Sequence, residues 1–240
     1  MRKILVRLRS LLIWSAALPV FAAACAAIWL GSFVLRGRGL ERLIKGGCRA
    51  VLLACGVRVR AAGRERLVPG RQYVAMMNHV NFFDPLVFQI AFPAPLRGVE
   101  EESHFRWPVY GGVIRRIGMF PISRKDTARA VETLRRAAAW LRERPEFSFA
   151  VMPEGTRTLD GRLGPFKRGG FLMAVEAGLD ILPVVQRGAR AVARKGSLNI
   201  RPGEVALTIG PAVPTAGCTK ETIGELIEAV RRVFLDVLGE

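Results

Sequence analysis

The sequence predicts an α/β domain preceded by a helical appendage. Three observations carry that expectation: an uncharged apolar run near the start, a switch at Val57 to short apolar stretches alternating with amphipathic ones, and a length sufficient for one substantial core. With 240 residues, 50% of them hydrophobic, the chain is not of the disordered class.

The apolar run from Leu11 to Leu35 has 25 residues. As a helix it spans about 37 Å, enough to cross a bilayer. Pro19 permits a kink, and basic residues at both ends suit a helix lying in the interface as well as one that crosses. A secretory signal is the competing reading, with Ala22 to Ala24 before Cys25 as its cleavage site. Against it, the apolar run continues through Ile28, Trp29, Leu30, Phe33 and Val34. Beyond a Gly/Arg turn, Leu40, Leu43, Ile44, Val51, Leu52 and Cys55 fall near one side of a second helix, which Gly46 and Gly47 weaken in its middle. Arg42, Lys45 and Arg49 of that helix face lipid headgroups in this reading. Residues 1–56 are thus expected to form a two-helix membrane anchor, and residues 57–240 the α/β domain.

The charge distribution agrees. Of a formal net charge of +17, the first 60 residues carry +10, with Glu41 their only acid. An anionic membrane surface is the partner this implies, because the excess brackets the apolar run and no nucleic-acid motif accompanies it. A basic membrane-binding or nucleic-acid-binding protein without enzymatic activity is the alternative from another class. Cys25, Cys48, Cys55 and Cys218 lack metal-ligand or disulfide spacing, and with only His79 and His104 as imidazoles no metal site is expected.

From Val57 onward, strands are expected at Val57–Ala61, Tyr73–Met77, Gly118–Ile122, Phe147–Met152, Ile181–Val185 and Val205–Ile209. Helices are expected at Pro85–Ala91, Val109–Ile117, Thr127–Arg144, Gly170–Ala177 and Lys220–Leu238. In the longest of the central helices, Ala130, Leu134, Ala137, Ala138 and Leu141 make the inward stripe.

The residues able to do chemistry cluster after two of these strands. His79 stands in Asn78-His79-Val80-Asn81-Phe82-Phe83-Asp84, directly behind a strand. Asp84 followed by Pro85 reads first as a helix start, with the carboxylate capping free N–H groups. A carboxylate held there is also rigid enough to orient an imidazole and support its protonated form. His104 has no acid at a telling spacing and is read as structural. The second cluster is Met152-Pro153-Glu154-Gly155-Thr156-Arg157-Thr158, with Phe166-Lys167-Arg168-Gly169 close behind. Cations at a strand-to-helix turn make a cradle for a phosphomonoester, and a solvated basic turn is the plain alternative. A third segment, Gly118 to Arg124, ends another strand with an arginine.

Taken in order, these segments resemble the glycerolipid acyltransferases, most closely the 1-acyl-sn-glycerol-3-phosphate acyltransferases. That family has an N-H-x-x-x-x-D block, a G-x-x-x-x-x-R block, an F-P-E-G-T-R-S block and an apolar block with a proline. They match Asn78–Asp84, Gly118–Arg124, Met152–Thr158 and Ile181–Val185 here. The departures are Met152 for Phe, Thr158 for Ser, Asn81 where Ser is common, and Glu100-Glu101-Glu102 where relatives carry a lysine. The last argues against a phosphate contact from that loop.

The resemblance implies a mixed central sheet flanked by helices, a membrane-binding two-helix motif, and attachment to the cytoplasmic face of the cell membrane. It further implies transfer of a fatty acyl group from acyl-CoA or acyl carrier protein to the sn-2 hydroxyl of lysophosphatidic acid. His79 would be the base and Asp84 its support, with no cofactor beyond the acyl co-substrate. Asn78, Arg124, Glu154, Gly155, Thr156, Arg157 and Lys167 would line the substrate site, Asn78 by fixing the loop. No G-x-S-x-G elbow is present, so a covalent acyl-enzyme is not expected. The nearest rivals keep the chemistry and change the acceptor to a lyso-ornithine lipid, another lysophospholipid or glycerol 3-phosphate.

Overall fold

A computed structural model describes residues 2–239. Two long helices come first, α1 (Arg2–Val34) and α2 (Gly37–Ala54). The strands are β1 (Val57–Ala62), β2 (Val74–Met77), β3 (Leu96–Glu101), β4 (Phe120–Ile122), β5 (Ser148–Val151), β6 (Ile181–Arg187) and β7 (Gly203–Ile209). Between and after them come α3 (Asp84–Ala91), α4 (Tyr110–Arg116), α5 (Thr127–Arg142), α6 (Arg168–Ala177), the short α7 (Ala189–Val192) and α8 (Ile223–Leu238).

The strands form one mixed sheet in the order β1-β7-β6-β2-β5-β3-β4. β6, β2, β5, β3 and β4 run parallel, while β7 pairs antiparallel with β6 and parallel with β1. The five parallel strands therefore release their carboxyl ends at one edge. His79, the Pro153–Arg157 loop, the Glu100–Glu102 run, Arg124 and the segment after β6 all emerge there.

Period-two alternation builds a core on each face. On β2, Ala75 and Met77 join one cluster with Leu182 and Val184 under α2 and α3. Val74 and Met76 join the other with Ile181 and Val185 under α5, α6 and α8. All four β2 residues are fully buried, as expected of a strand in the middle of a parallel sheet. The α5 stripe buries Leu134, Ala137, Ala138 and Leu141.

One strand lies outside the expected set. β3 was not foreseen, because Leu-Arg-Gly-Val-Glu-Glu lacks a hydrophobic pattern; its Arg97 is buried through a partner distant in sequence. Gly46 and Gly47 do not interrupt α2. A β-carbon on Gly47 would lie 3.2 Å from both Ala24 and Ile28, so the missing side chain lets α1 and α2 approach closely. α1 is one continuous helix with Pro19 inside it.

Arg97 ion-pairs with Glu41 of α2, the only acid of the first 60 residues. It also donates to the Leu96 carbonyl at 2.8 Å and stacks 4.6 Å from the Phe147 ring centroid. Removing one member of a buried pair strands the other charge, at a cost of roughly 3–5 kcal/mol. Glu41→Ala should therefore lower the denaturation midpoint of the detergent-solubilised protein steeply. Glu41→Leu combined with Arg97→Met should recover most of the loss; equal midpoints for single and double variants would contradict this.

Candidate active site

β2 ends at Met77, and the next seven residues fold into a tight loop held by their own polar side chains. Asn78 continues the sheet in side-chain form. Its Oδ1 accepts from the Gln186 backbone N–H at 2.8 Å, its Nδ2 donates to the Gln186 carbonyl at 3.1 Å, and Gln186 Nε2 donates to the Asn78 carbonyl at 2.7 Å. With its side chain so occupied and 7% exposed, Asn78 holds the loop and is not a substrate contact.

Asp84 opens α3, but its carboxylate does not cap the free N–H groups ahead of it. It turns back. Its Oδ2 accepts from Val80 N–H at 2.6 Å and Asn81 N–H at 3.0 Å, and lies 2.7 Å from His79 Nδ1. An oxygen already accepting two N–H groups is an acceptor for the third, so His79 carries its hydrogen on Nδ1 and presents a free Nε2. Asp84 is fully buried, while the His79 side chain is 13% exposed. Asn81 braces the far side of the loop: its Oδ1 accepts from Phe83 N–H, and its Nδ2 donates to the Ala189 carbonyl at 2.7 Å.

The loop after β5 packs directly against this one. Thr158 N–H donates to the His79 carbonyl at 2.8 Å. Glu154 accepts the His79 backbone N–H on Oε1 at 2.7 Å and the Gly164 N–H on Oε2 at 3.0 Å. Burial pushes its carboxyl above the ordinary carboxylate range, and the N–H groups of His79 and Gly164 partly offset this. Glu154 thus corrects the expectation of a substrate contact: both oxygens hold backbone, and it positions His79 from beneath.

Gly155 takes a positive φ of 65°, and a β-carbon there would lie 2.9 Å from Lys167 Cδ and Cε and 3.0 Å from Nζ. Glycine is what lets the exposed Lys167 lie across this turn. Arg157 is half-buried in the same loop, and Thr156 Oγ1 accepts from Lys195 Nζ at 3.0 Å. Lys195 was missed because it lies beyond the last apolar block, with no local pattern to mark it.

Arg124 stands apart. β4 lies three strands from β2, about 14 Å at ~4.8 Å per strand. Arg124 Nε is held by Glu101 at 2.7 Å, and Arg129 by Glu102 at 3.0 Å. His104 has an acidic partner that the sequence does not mark: its Nδ1 lies 2.6 Å from Glu100 Oε1, and its ring packs against Trp107 and Tyr110. Glu100 lies in β3 and His104 in a 3-10 turn (Glu102–Arg106), so the pair does not share a helix in which a spacing of four would be read.

A base oriented by a buried carboxylate, next to a loop of cations, suits proton removal from a hydroxyl beside an anionic group. The acyltransferase family model matches residues 58–187, more than half the chain, and spans both loops.

The chain belongs to the acyltransferase family.

This acyltransferase is 28% identical to human 1-acyl-sn-glycerol-3-phosphate acyltransferase alpha, over 95% of this chain and 78% of that one. It is 26% identical to the Limnanthes douglasii 1-acyl-sn-glycerol-3-phosphate acyltransferase, over 77% of this chain and 65% of that one. Its fold superposes on the crystal structure of PlsC, the 1-acyl-sn-glycerophosphate (LPA) acyltransferase from Thermotoga maritima. The TM-score is 0.82 at 26% identity, over 98% of this chain and 95% of that one.

The bracing role of Glu154 has a measurable consequence. Glu154→Ala leaves two N–H groups without an acceptor, at about 1–3 kcal/mol for each that stays buried. Stability and kcat should both fall while KM for the acceptor stays within about twofold. A large rise in that KM at unchanged kcat would instead make Glu154 a substrate ligand.

Proposed function

We propose that this acyltransferase transfers a fatty acyl group from a thioester donor, acyl-CoA or acyl carrier protein, to the sn-2 hydroxyl of lysophosphatidic acid, giving phosphatidic acid. The observation that carries the reading is the pairing of His79 Nδ1 with the buried Asp84 at 2.7 Å, beside a cation-bearing loop. The acceptor hydroxyl gives its proton to His79 Nε2 as its oxygen attacks the thioester carbonyl. The C–S bond then breaks, and the sulfur leaves as a thiolate. A thiol of pKa about 8.5 departs with little assistance, so one base suffices and no metal or redox cofactor enters the chemistry. The names of the relatives support the acceptor.

The same reading places residues 1–56 on a membrane. α1 is long and apolar enough to cross a bilayer, and only 17% of its most apolar window is buried. It is nevertheless docked along its length. Ser10 bonds Ile200, Trp14 stacks on Phe82 of the His79 loop, Phe21 meets Tyr110, and Ser32 bonds Arg116. From Ser10 to Ser32 is about 33 Å of helix, and crossing would drag the attached charged domain into hydrocarbon. α1 therefore lies in one leaflet, with Leu8, Leu11, Leu12, Leu30, Phe33 and Val34 exposed for lipid.

At the opposite sheet edge, Arg38, Arg42, Lys45, Arg49 and Arg64 line a hollow of about 490 Å3. They supply the charge that holds an anionic headgroup layer. The cytoplasmic face, where acyl-CoA and acyl carrier protein are found, is the side this arrangement serves.

General-base action is typically worth about 10² to 10⁴ in rate. With acyl-CoA and lysophosphatidic acid, His79→Ala should lose at least about a hundredfold in kcat. Asp84→Ala should lose a comparable amount, because the ring is then free to turn. Undiminished turnover by His79→Ala would sink the mechanism.

A further inference from the structure

Three chain segments each bring a cation to the tripeptide Gly155-Thr156-Arg157. Arg157 belongs to it, Lys167 lies across Gly155, and Lys195 donates to Thr156 Oγ1 at 3.0 Å and to the Arg157 carbonyl at 2.8 Å. Lys195 comes from the segment after β6, and the tripeptide follows β5. These two strands flank β2, so the Lys195 bonds pass over the strand end that delivers His79. Asn81, two residues beyond His79, holds the Lys195 segment through the Ala189 and Ala193 carbonyls at 2.7 and 3.4 Å.

The charges in this cluster are uncompensated. Among the described residues, no carboxylate lies within 4.0 Å of the side-chain nitrogens of Arg157, Lys167 or Lys195. An ammonium has three N–H groups; two of Lys195's go to neutral oxygens, and one is free for an anion. Arg124 has the reverse character, being neutralised by Glu101 three strands from β2.

We propose that Lys195 is a phosphate-binding, specificity-determining residue of this acyltransferase, completing with Arg157 and Lys167 a cradle for the acceptor's phosphomonoester from which Arg124 is excluded. The proposal rests on the function given above. A phosphomonoester carries about −1.5 to −2 at neutral pH, a charge that three cations around one turn match. Lys195 also ties the loop that bears Arg157 to the segment held by Asn81, so the phosphate and the reacting hydroxyl are placed relative to one framework.

The test measures KM for lysophosphatidic acid, KM for acyl-CoA and kcat in Lys195→Met, Lys195→Arg and Arg124→Met. Loss of one charge-assisted hydrogen bond predicts that Lys195→Met raises KM for lysophosphatidic acid roughly 10- to 100-fold. KM for acyl-CoA should stay within about threefold, Lys195→Arg should recover most of the loss, and Arg124→Met should leave both KM values within about threefold. A fall in kcat alone, a rise confined to acyl-CoA, or a larger lysophosphatidic acid effect from Arg124→Met would each overturn the proposal. If the wild-type protein turns over another acceptor and not lysophosphatidic acid, the function given above fails. The cradle is then judged by titration with glycerol 3-phosphate, where weaker binding by Lys195→Met supports it and unchanged binding overturns it.

Discussion

The carboxylate of Asp84 organises the reactive end of this molecule. One of its oxygens gathers the N–H groups of Val80 and Asn81 and the Nδ1 of His79, all from the five residues before it. A loop this short, leaving a central strand and entering a helix, has backbone donors that neither element satisfies. Asp84 satisfies two of them and orients the imidazole at the same time. The position is dry and rigid because it sits over the fully buried β2 and at the first residue of α3. Three nitrogens of the loop converge on Oδ2, so the contact that fixes the base also keeps the loop folded.

Around that contact, polar side chains of the motif blocks hold backbone. Asn78 extends the β2–β6 ladder through Gln186, Asn81 pins the segment after β6, and Glu154 supports His79 from below. Each is buried, and each takes its partners from another part of the chain. Around them stand the half-buried Arg157 and Lys195 and the exposed Lys167. The division is electrostatic: groups that would repel an anionic substrate are turned inward onto N–H donors, and positive groups are left facing outward. The acids at the end of β3 follow the same rule, since Glu101 and Glu102 are consumed by Arg124 and Arg129, and Glu100 by His104.

The helical hairpin is joined to this framework. Trp14 of α1 stacks on Phe82, inside the loop that carries His79, so the most apolar surface of the molecule reaches the rim of the site. Farther along, Glu41 of α2 and Arg97 of β3 lock the hairpin to the sheet. Lys45 closes α3 at its other end by donating to the Phe92, Pro93 and Ala94 carbonyls. α3 is thus held at both termini, by Asp84 and by the hairpin.

Local patterns in the chain suffice for the α/β alternation, the two helices, most of the strands and the closeness of His79 to Asp84. Those features depend on local periodicity and on spacings of a few residues, where chain geometry leaves little freedom. What the polar residues of the blocks do depends on long-range packing. Glu154, Asn78 and Lys195 take partners 75, 108 and 38 residues away in sequence. β3 likewise shows only in the fold, because its Arg97 is buried against Glu41 of α2, and strand order separates Arg124 from the cations near His79. Those outcomes follow from strand order, which pairs segments by long-range burial and hydrogen bonding and leaves no mark in any local window.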